Sequence, residues 1–391
     1  MKDFEIFHPV HILFGRNSIN QLREQIPEKA RILLTFGSGS IKRNGIYEII
    51  LDQLKDYQTV EFGQILPNPD FDHLVKGIKL AREKEINFIL AVGGGSVIDG
   101  SKFIAAGINY DGDLWDLLRQ SDGFIHQNPS IANTVPLGVV LTLSAAGSEW
   151  NCGGVISRYK THDKLPFLNT AGFPKFSILN PEFTFSVSLK QTANGIVDAL
   201  IHICEQYLTH LQAAPLQDRL SEALLLTLIE EGPKALIDPH NYEVRSNLMF
   251  SATLALNGLI GSGVVQDWSS HLIGHVVTAL HGLDHGESLA VIYPALLEIM
   301  IEKKETKIAQ FGRRVWGLEI EDNRKAAQEA IQQMRKFFEK LGIRLHLSDY
   351  GVIESDLDQI VEKLEQYGQM PLGENADINS EQVRKILQLA L

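Results

Sequence analysis

The arrangement of short apolar runs in the first half of the chain constrains the fold more than any other feature. Runs rich in Val, Ile, Leu and Phe alternate with stretches of helical spacing, and the turns between them contain glycine or proline. The apolar runs cover residues 31–36, 59–62, 87–92, 137–143 and 176–179. Strands that alternate with helices in sequence order are typical of a parallel sheet. We therefore expect an N-terminal α/β domain with a Rossmann-like parallel sheet.

The pattern changes after Pro181. Longer segments then carry apolar residues at helical spacing, at residues 192–208, 218–229, 244–260 and 324–341. This predicts an α/β domain over residues 1–181 and an all-helical domain over residues 182–391. The sequence contains no repeat, low-complexity tract or long linker. We therefore expect the two domains to pack together with a cleft between them.

Composition and charge exclude several classes of protein. The 391 residues are 44% apolar and 21% charged, as in an ordinary folded chain. A net charge of −12 argues against nucleic acid as a partner. No signal peptide is visible and no apolar run reaches the ~20 residues needed to cross a bilayer, so we expect a cytoplasmic protein without a membrane partner. Cys152 and Cys204 are too few for a disulfide framework and are expected to be core residues.

Two glycine-rich turns follow predicted strands. Gly93, Gly94, Gly95 and Ser96 open a predicted helix over residues 97–106, where backbone amides and the helix N-terminus can hold a pyrophosphate. Many tight turns contain glycine for steric reasons alone, and that alternative stays open. A second turn is expected to lie at the same carboxyl edge of the sheet, near an adenosine ribose. Its residues are Gly37, Ser38, Gly39 and Ser40.

The second turn favours NADPH over NADH. An NAD site often presents a carboxylate to the ribose 2′-hydroxyl, but residues 37–42 contain no acid. Ser38, Ser40 and Lys42 could instead bind a 2′-phosphate. An ordinary polar turn is the alternative for each residue taken singly.

The helical half contains a predicted metal site. Asp198 and His202 stand four residues apart and share one helix face, and His271 and His285 can supply two more nitrogens. One carboxylate with three imidazoles suits Fe(II) or Zn(II) that keeps a position open for substrate. Taken alone, each histidine is better explained by hydrogen bonding in a core, whereas their joint spacing favours the metal site. The same segment also contains His275 and His281.

Together these motifs closely resemble the iron-containing (group III) alcohol dehydrogenases, in particular their NADPH-dependent aldehyde reductase and butanol dehydrogenase branch. The spacing His-x3-His-x9-His of His271, His275 and His285 is the most specific part of the likeness. The other matching segments are residues 14–15, 67–69, 93–99, 195–202 and 347–351.

The resemblance implies a homodimeric oxidoreductase with a dinucleotide-binding N-terminal domain and a helical metal-binding domain. It implies that Asp198, His202, His271 and His285 bind Fe(II) or Zn(II), and that His275 lies near the nicotinamide without binding the metal. It also implies cofactor contacts over the two glycine turns and at six further positions. These are Asn68, Asp99, Thr142, Leu143, Asn151 and Lys164.

Two residues depart from the family pattern. Residues 142–149 resemble a family stretch along the cofactor's diphosphate, but Ser144 replaces a proline and Ala146 replaces a threonine. The turn is therefore less stiff, and a hydroxyl is missing.

The resemblance implies reduction of an aldehyde by hydride transfer, with the cation acting as a Lewis acid and His275 as the expected proton donor. Apolar residues such as Trp150, Phe250 and Trp268 would suit a short uncharged aldehyde. Two alternatives remain open. The chain could be a related polyol dehydrogenase of the glycerol type, or a non-catalytic protein in which bound metal or nucleotide only stabilises the fold.

Overall fold

The computed structural model describes residues 1–119 and 133–391, which form two compact units. The sheet unit comprises Phe7–Val187 and Pro239–Met249. The helical unit comprises Met1–Ile6, Ser188–Asp238 and Phe250–Leu391. The predicted boundary at Pro181 lies shortly before Ser188, where the helical unit resumes. The prediction did not assign residues 1–6 to the helical unit or residues 239–249 to the sheet unit.

The sheet unit is built on eight strands in the described part of the chain. Their bounds are β1 His11–Phe14, β2 Arg31–Phe36, β3 Gln58–Phe62, β4 Phe88–Gly93, β5 Leu137–Leu141, β6 Gly153–Arg158, β7 Asp163–Leu168 and β8 Phe176–Leu179. Six of them pair in parallel in the order β1-β8-β5-β4-β2-β3, and β6 and β7 form a separate antiparallel hairpin. The predicted parallel sheet is confirmed, whereas β1 and the hairpin were not predicted.

Helices of the same unit connect these strands. They are α1 Leu22–Gln25, α2 Ser40–Arg43, α3 Ile46–Gln53, α4 Phe71–Glu83, α5 Gly95–Ile108 and α6 Asp116–Arg119. Neighbouring residues of β2 point into different cores: Leu33 belongs to one buried apolar cluster, and Ile32 and Leu34 belong to another. Both faces of the sheet are therefore covered, which explains why its strands read as continuous apolar runs.

Strands β2 and β4 are parallel neighbours, with Phe36 opposite Val92 near their carboxyl ends. The order of the strands reverses at this point, because the chain runs from β2 outward to β3 on one side and to β4 and β5 on the other. Crevices at such reversals bind nucleotides in open α/β sheets. The two glycine-rich turns follow β2 and β4, so their predicted location at one edge of the sheet is confirmed.

The helical unit contains the long helices predicted from the second half of the sequence. They are α7 Leu189–Tyr207, α8 Pro215–Ile237, α9 Tyr242–Ala255, α10 Ser269–His281, α11 His285–Ile299, α12 Ile301–Val315, α13 Asn323–Lys340, α14 Leu357–Gln366 and α15 Ser380–Ala390. Helix α9 begins in residues of the sheet unit. It ends at Ala255, earlier than the predicted segment over 244–260. None of the helices in the described ranges has the length and apolarity that crossing a membrane requires.

The first residues of the chain are tied to the helical unit by backbone hydrogen bonds. The Met1 amine donates to the Ala213 carbonyl at 3.3 Å, and the Lys2 amide donates to the Gly263 carbonyl at 2.8 Å. These bonds explain why the segment 1–6 belongs to the helical unit although it precedes the sheet.

Candidate metal and dinucleotide sites

Helix α7 carries the first two candidate metal ligands in its buried middle. Ser188 caps the helix, accepting a hydrogen bond from the Gln191 amide at 3.2 Å. Asp198 and His202 follow on one face, both almost fully buried. Their spacing brings His202 Nε2 to 3.5 Å from Asp198 Oδ1.

Helices α10 and α11 supply the remaining imidazoles. His271 lies in the first turn of α10, and His275 lies one turn later on the same side. His285 is the first residue of α11, which Asp284 and Glu287 cap reciprocally. A Cβ atom on the next residue, Gly286, would lie 2.5 Å from the Asn194 carbonyl oxygen, so only glycine allows α11 to approach α7 this closely.

Three of the predicted ligands converge on a carboxylate oxygen of the fourth. His202, His271 and His285 each place Nε2 near Asp198 Oδ1, at 3.5, 3.9 and 3.7 Å respectively. These distances exceed those of ordinary hydrogen bonds. Metal–ligand bonds of ~2.0–2.2 Å separate two atoms of a tetrahedral shell by ~3.3–3.6 Å. The donor set and its spacing therefore fit a divalent cation.

The convergent atoms of Asp198, His202 and His271 all lie within 4.8 Å of one another, and all three residues are buried. The side chain of His285 is 25% exposed, so one side of the cluster remains accessible. His281 lies in the last turn of α10, beyond His275, where burial lowers the pKa of its imidazole and the Asp356 carboxylate acts to raise it.

Burial and neighbouring charges shift the pKa values of two imidazoles in opposite directions. Burial lowers the pKa of His202 to about 4, with only partial compensation from the Asp198 carboxylate. Burial also acts to lower the pKa of His271, but the Glu205 and Asp198 carboxylates outweigh it and raise that pKa to about 9. Because a metal ligand must be deprotonated, binding a cation at neutral pH displaces a proton from His271.

Glu205 is a site residue that the sequence interpretation missed. It lies three residues after His202, so Asp198, His202 and Glu205 occupy one face of α7 at i, i+4 and i+7. Its carboxylate is buried, accepts a hydrogen bond from the Ser270 amide at 3.0 Å and contacts His271 Nδ1. The regular spacing of the three residues could have indicated that Glu205 lies on the same helix face as Asp198 and His202.

Aromatic contacts surround the imidazole cluster. The rings of His275 and His285 stack with centroids 5.2 Å apart, and Trp268 meets His271 edge to face at 5.3 Å. Of the three aromatic residues suggested for the substrate pocket, Trp268 thus lies against the imidazole cluster. Phe250 lies on α9, and Trp150 packs against His8 in the sheet unit.

The first glycine turn lies directly against the loop predicted to border the cofactor. The Thr142 amide donates to the Gly93 carbonyl at 3.0 Å. Cβ atoms on Gly94 and Gly95 would lie 3.0 Å from Leu143 Cβ and 2.9 Å from Ala146 Cβ. The glycines therefore have a steric role here, because they allow the 142–146 loop to approach closely. That role does not conflict with a phosphate at the N-terminus of α5, where Ser96 stands in the first turn.

The second glycine turn ends in helix α2. Gly39 has φ of 91°, a left-handed conformation that suits glycine, and Ser40 begins α2. Ser38 and Ser40 are exposed, and Gly37 precedes them at the end of β2. Lys42 lies two residues after Ser40, and its Nζ contacts Glu61 Oε2 of β3 at 2.8 Å. The side-chain hydrogen bond that Lys42 donates to Glu61 raises the pKa of Lys42. An acidic residue thus lies beside this turn in space, although none occurs within residues 37–42.

Asp99 and Lys102 of helix α5 attach that helix to the following loop. Asp99 accepts hydrogen bonds from Ser148 Oγ at 2.6 Å and from the Val155 amide at 3.0 Å. Both carboxylate oxygens are thereby engaged by protein groups. Lys102 Nζ lies 2.9 Å from the amide oxygen of Asn151. Sequence interpretation did not identify Lys102, although its position three residues after Asp99 was a signal.

Asn68 and Lys164, two further candidates, meet directly. Lys164 Nζ on β7 donates to Asn68 Oδ1 at 2.9 Å. The hairpin that carries Lys164 also contacts the 67–69 segment through Tyr159, whose hydroxyl donates to the Asn68 carbonyl at 3.0 Å. This arrangement brings Lys164 to the Pro67-Asn68-Pro69 segment.

Comparison with known proteins assigns both halves of the chain to the same family. Residues 9–181 match the family model described as iron-containing alcohol dehydrogenase. Residues 192–391 match the model for the C-terminal part of the Fe-containing alcohol dehydrogenase family.

Individual relatives align over the full length. The chain is 47% identical to the NADPH-dependent aldehyde reductase YqhD of Escherichia coli K12, covering 100% of both chains. It is 38% identical to the probable NADH-dependent butanol dehydrogenase 1 of Bacillus subtilis, again covering 100% of both. The crystal structure of YqhD from E. coli K-12 superposes with a TM-score of 0.97 at 46% identity, covering 100% of this chain and 99% of that chain.

Proposed function

The chain belongs to the iron-containing alcohol dehydrogenase family of oxidoreductases, and we propose that it reduces aldehydes to primary alcohols with NADPH, reversibly and with a bound divalent metal. The observation that carries this proposal is the convergence of Asp198, His202, His271 and His285. Three imidazole nitrogens around one carboxylate oxygen, at 3.5–3.9 Å, form a donor set of the right chemistry and size.

We propose that these four residues hold one Fe(II) or Zn(II) ion. The cation supplies Lewis-acid stabilisation of the negative charge that develops on the carbonyl oxygen, and the nicotinamide supplies the hydride. The protein contributes buried surroundings for Asp198, His202 and His271, with Trp268 packed against His271. The partial exposure of His285 leaves an approach for a small uncharged aldehyde.

His275 is the proposed source of the alcohol proton. It is 2% exposed and stacks on His285, so it lies beside the ligand cluster. The group that donates the proton must reach the alkoxide directly or through one water or hydroxyl group. His275 is suited to this because an imidazole can exchange a proton near neutral pH.

NADPH is the proposed hydride donor. The E. coli relative is named as NADPH-dependent, whereas the Bacillus relative is named as NADH-dependent, so similarity alone leaves the choice open. The local chemistry supports NADPH: Ser38 and Ser40 are exposed donors, and Lys42 follows within one helical turn. The ion pair of Lys42 with Glu61 fixes the ammonium group beside the turn.

We propose that the cofactor binds along the carboxyl edge of the sheet. Its diphosphate would meet Gly93, Gly94, Gly95 and Ser96, and the adjoining ribose and nicotinamide would meet Thr142, Leu143, Asn151 and Lys164 with Asn68. The adenosine ribose would meet Gly37, Ser38, Gly39 and Ser40. Both Asp99 oxygens accept hydrogen bonds from Ser148 and Val155. We therefore propose that Asp99 stabilises this edge of the sheet through those bonds and does not bind the cofactor directly.

A cytoplasmic homodimer completes the proposal. Strand β1 is a terminal strand of the sheet, and Phe7 before it and Phe14 at its end are 58% and 43% exposed. Sheet edges and exposed apolar side chains are surfaces on which a second copy can pair. The buried free thiols of Cys152 and Cys204 suit a reducing compartment. Light scattering on the purified protein tests the dimer.

Turnover assays test the proposed activity. Protein reconstituted with Zn²⁺ or, without oxygen, with Fe²⁺ should oxidise NADPH in the presence of butanal, and the metal-free protein should not. Turnover only with glycerol and an oxidised cofactor would favour the polyol dehydrogenase alternative. Metal binding without turnover of any aldehyde or polyol would favour the non-catalytic alternative and overturn the proposal.

A further inference from the structure

We propose that Glu205 is a positioning residue of the metal site, which holds His271 so that its Nε2 lone pair faces the cation. This inference rests on the proposed function in one respect, because it presumes that a metal binds at the cluster. Glu205 does not reach the ligand sphere itself; it acts through the far side of the imidazole. Its role thus differs from that of Asp198, whose oxygen stands among the imidazole nitrogens.

The two oxygens of the Glu205 carboxylate have different partners. Oε1 accepts from the Ser270 amide at 3.0 Å, the Ser270 hydroxyl at 2.7 Å and the His271 amide at 3.3 Å. These donors belong to the start of α10, whose own capping position, Trp268, makes no side-chain cap. The Oε1 atom alone therefore satisfies the backbone amides at the start of α10. The other oxygen, Oε2, is left to contact His271 Nδ1.

The contact determines which nitrogen of His271 carries the proton. A carboxylate accepts hydrogen bonds, so Nδ1 donates, and once the imidazole is neutral the lone pair is on Nε2. Nε2 is the atom that lies 3.9 Å from Asp198 Oδ1, on the side of the other ligands. A carboxylate that binds the distal nitrogen of a metal-ligating imidazole fixes its tautomer and ring plane and makes it more basic.

The charges of the buried groups favour the same arrangement. Glu205 and Asp198 are both buried, and His271 is the basic group between them. A divalent cation bound by neutral imidazoles balances the two carboxylate charges. Without such balance, two buried carboxylates of like charge would be costly.

Glu205→Gln is a sharp test, because the site itself determines how the amide must orient. The Ser270 and His271 donors require an acceptor at the Oε1 position, so the amide oxygen takes that place and the NH₂ group faces His271. An NH₂ donor requires an unprotonated Nδ1, which moves the imidazole proton to Nε2 and blocks metal binding. The hydrogen bonds at the start of α10 are preserved, whereas Nε2 of His271 can no longer bind the metal.

Ser270→Ala provides the matched control. It removes the hydroxyl that Glu205 Oε1 accepts from, but keeps the Ser270 amide and leaves the contact between Oε2 and His271 intact. Zn²⁺ affinity is measured by competition with a chromogenic chelator on apo protein, and the unfolding of the same samples is measured in urea. Glu205→Gln should weaken Zn²⁺ binding about 10–100-fold. Ser270→Ala should leave the Zn²⁺ affinity close to that of the wild type.

An unchanged Zn²⁺ affinity in Glu205→Gln would overturn the inference, as would an equal loss in Ser270→Ala. If Glu205→Gln does not fold, ¹⁵N NMR of histidine-labelled wild-type protein with Zn²⁺ decides the matter. An Nδ1 proton on His271 that is far downfield and slow to exchange, as a hydrogen bond to a carboxylate produces, supports the inference, and a rapidly exchanging Nδ1 proton contradicts it. A failure of the proposed function can be distinguished from a failure of this inference. In that case the wild type itself would bind no Zn²⁺ or reduce no aldehyde.

Discussion

The ammonium group of Lys102 lies 2.9 Å from Asn151 Oδ1, in a pocket where it also donates to the backbone carbonyls of Ser148 and Gly153, each at 2.7 Å. Lys102 lies on the helix that follows the first glycine turn, and these partners lie in the loop that leads into β6. The buried lysine therefore links the proposed diphosphate site to the proposed nicotinamide site.

We expect the burial of Lys102 to make the stability of the protein depend on pH. Burial lowers the pKa of Lys102 to about 8, against 10.5 for an ordinary lysine. Between these values only the unfolded chain is protonated, so the free energy of unfolding rises with pH there. Below about pH 8 the lysine is protonated in both states, and this gain is lost. We expect the wild type to gain about 3 kcal/mol relative to Lys102→Met across this window, at ~1.4 kcal/mol per pKa unit.

Urea unfolding of both proteins from about pH 8 to about pH 10.5 measures this difference. Lys79→Met, which removes an exposed lysine of α4, should show a constant difference from the wild type over the same range. A constant difference for Lys102→Met would contradict the assignment.

Gly286→Ala should displace the ligand His285. The new Cβ would lie 2.5 Å from the Asn194 carbonyl oxygen and 2.9 Å from Asn194 Cα, and backbone atoms cannot move aside as a flexible side chain can. We expect a loss of about 1–3 kcal/mol in the free energy of unfolding and weaker Zn²⁺ binding. Gly172→Ala, whose Cβ would meet its nearest neighbour at an ordinary 3.5 Å, serves as the control. Wild-type metal affinity in Gly286→Ala would show that α11 can shift without moving His285.

Asp198→Ala and His271→Ala should lower metal content and aldehyde reduction together. Each substitution removes one of four donors, and the remaining buried donors cannot complete the coordination sphere. Elemental analysis and NADPH oxidation on the same samples check the correlation. Full activity in a variant that holds no metal would refute the metal site.

His275→Ala should preserve metal content and change the pH profile of the reaction. His275 stacks on His285 but is not among the four convergent donors, so the cation should remain bound. If His275 delivers the proton, kcat falls and its dependence on pH loses one ionisation. An unchanged pH profile in the variant would remove His275 from that role.

Lys42→Ala should weaken selectivity for NADPH. Loss of the ammonium group removes a charge-assisted contact to a 2′-phosphate, and a tenfold rise in KM for NADPH corresponds to ~1.4 kcal/mol. The KM for NADH should change little. Glu61→Gln is the complementary variant, because it neutralises the carboxylate beside Lys42 and should leave or improve NADPH binding. Equal effects on both cofactors would show that Lys42 does not bind the 2′-phosphate.

Local patterns in the sequence predicted much of this protein correctly. The alternation of apolar runs and helices predicted the parallel sheet, since a strand covered on both faces needs an apolar side chain at nearly every position. The spacing of Asp198 and His202 predicted a shared helix face, because that relationship depends on only one turn of helix. Glycine after two strands predicted turns at one edge, because parallel strands end on the same side.

Tertiary structure decided what depends on residues distant in the chain. The sequence analysis had already named His271 and His285 among four histidines, and the packing of α10 and α11 on α7 brings their Nε2 atoms to 3.9 and 3.7 Å from Asp198 Oδ1. Glu205 became a partner of His271 only when α10 began beside α7, and Glu61 reached Lys42 only through the pairing of β2 and β3. Local spacing determines the face on which a side chain lies. Only long-range packing determines which helix or strand that face contacts, because packing depends on the shape and burial of all the elements in the unit.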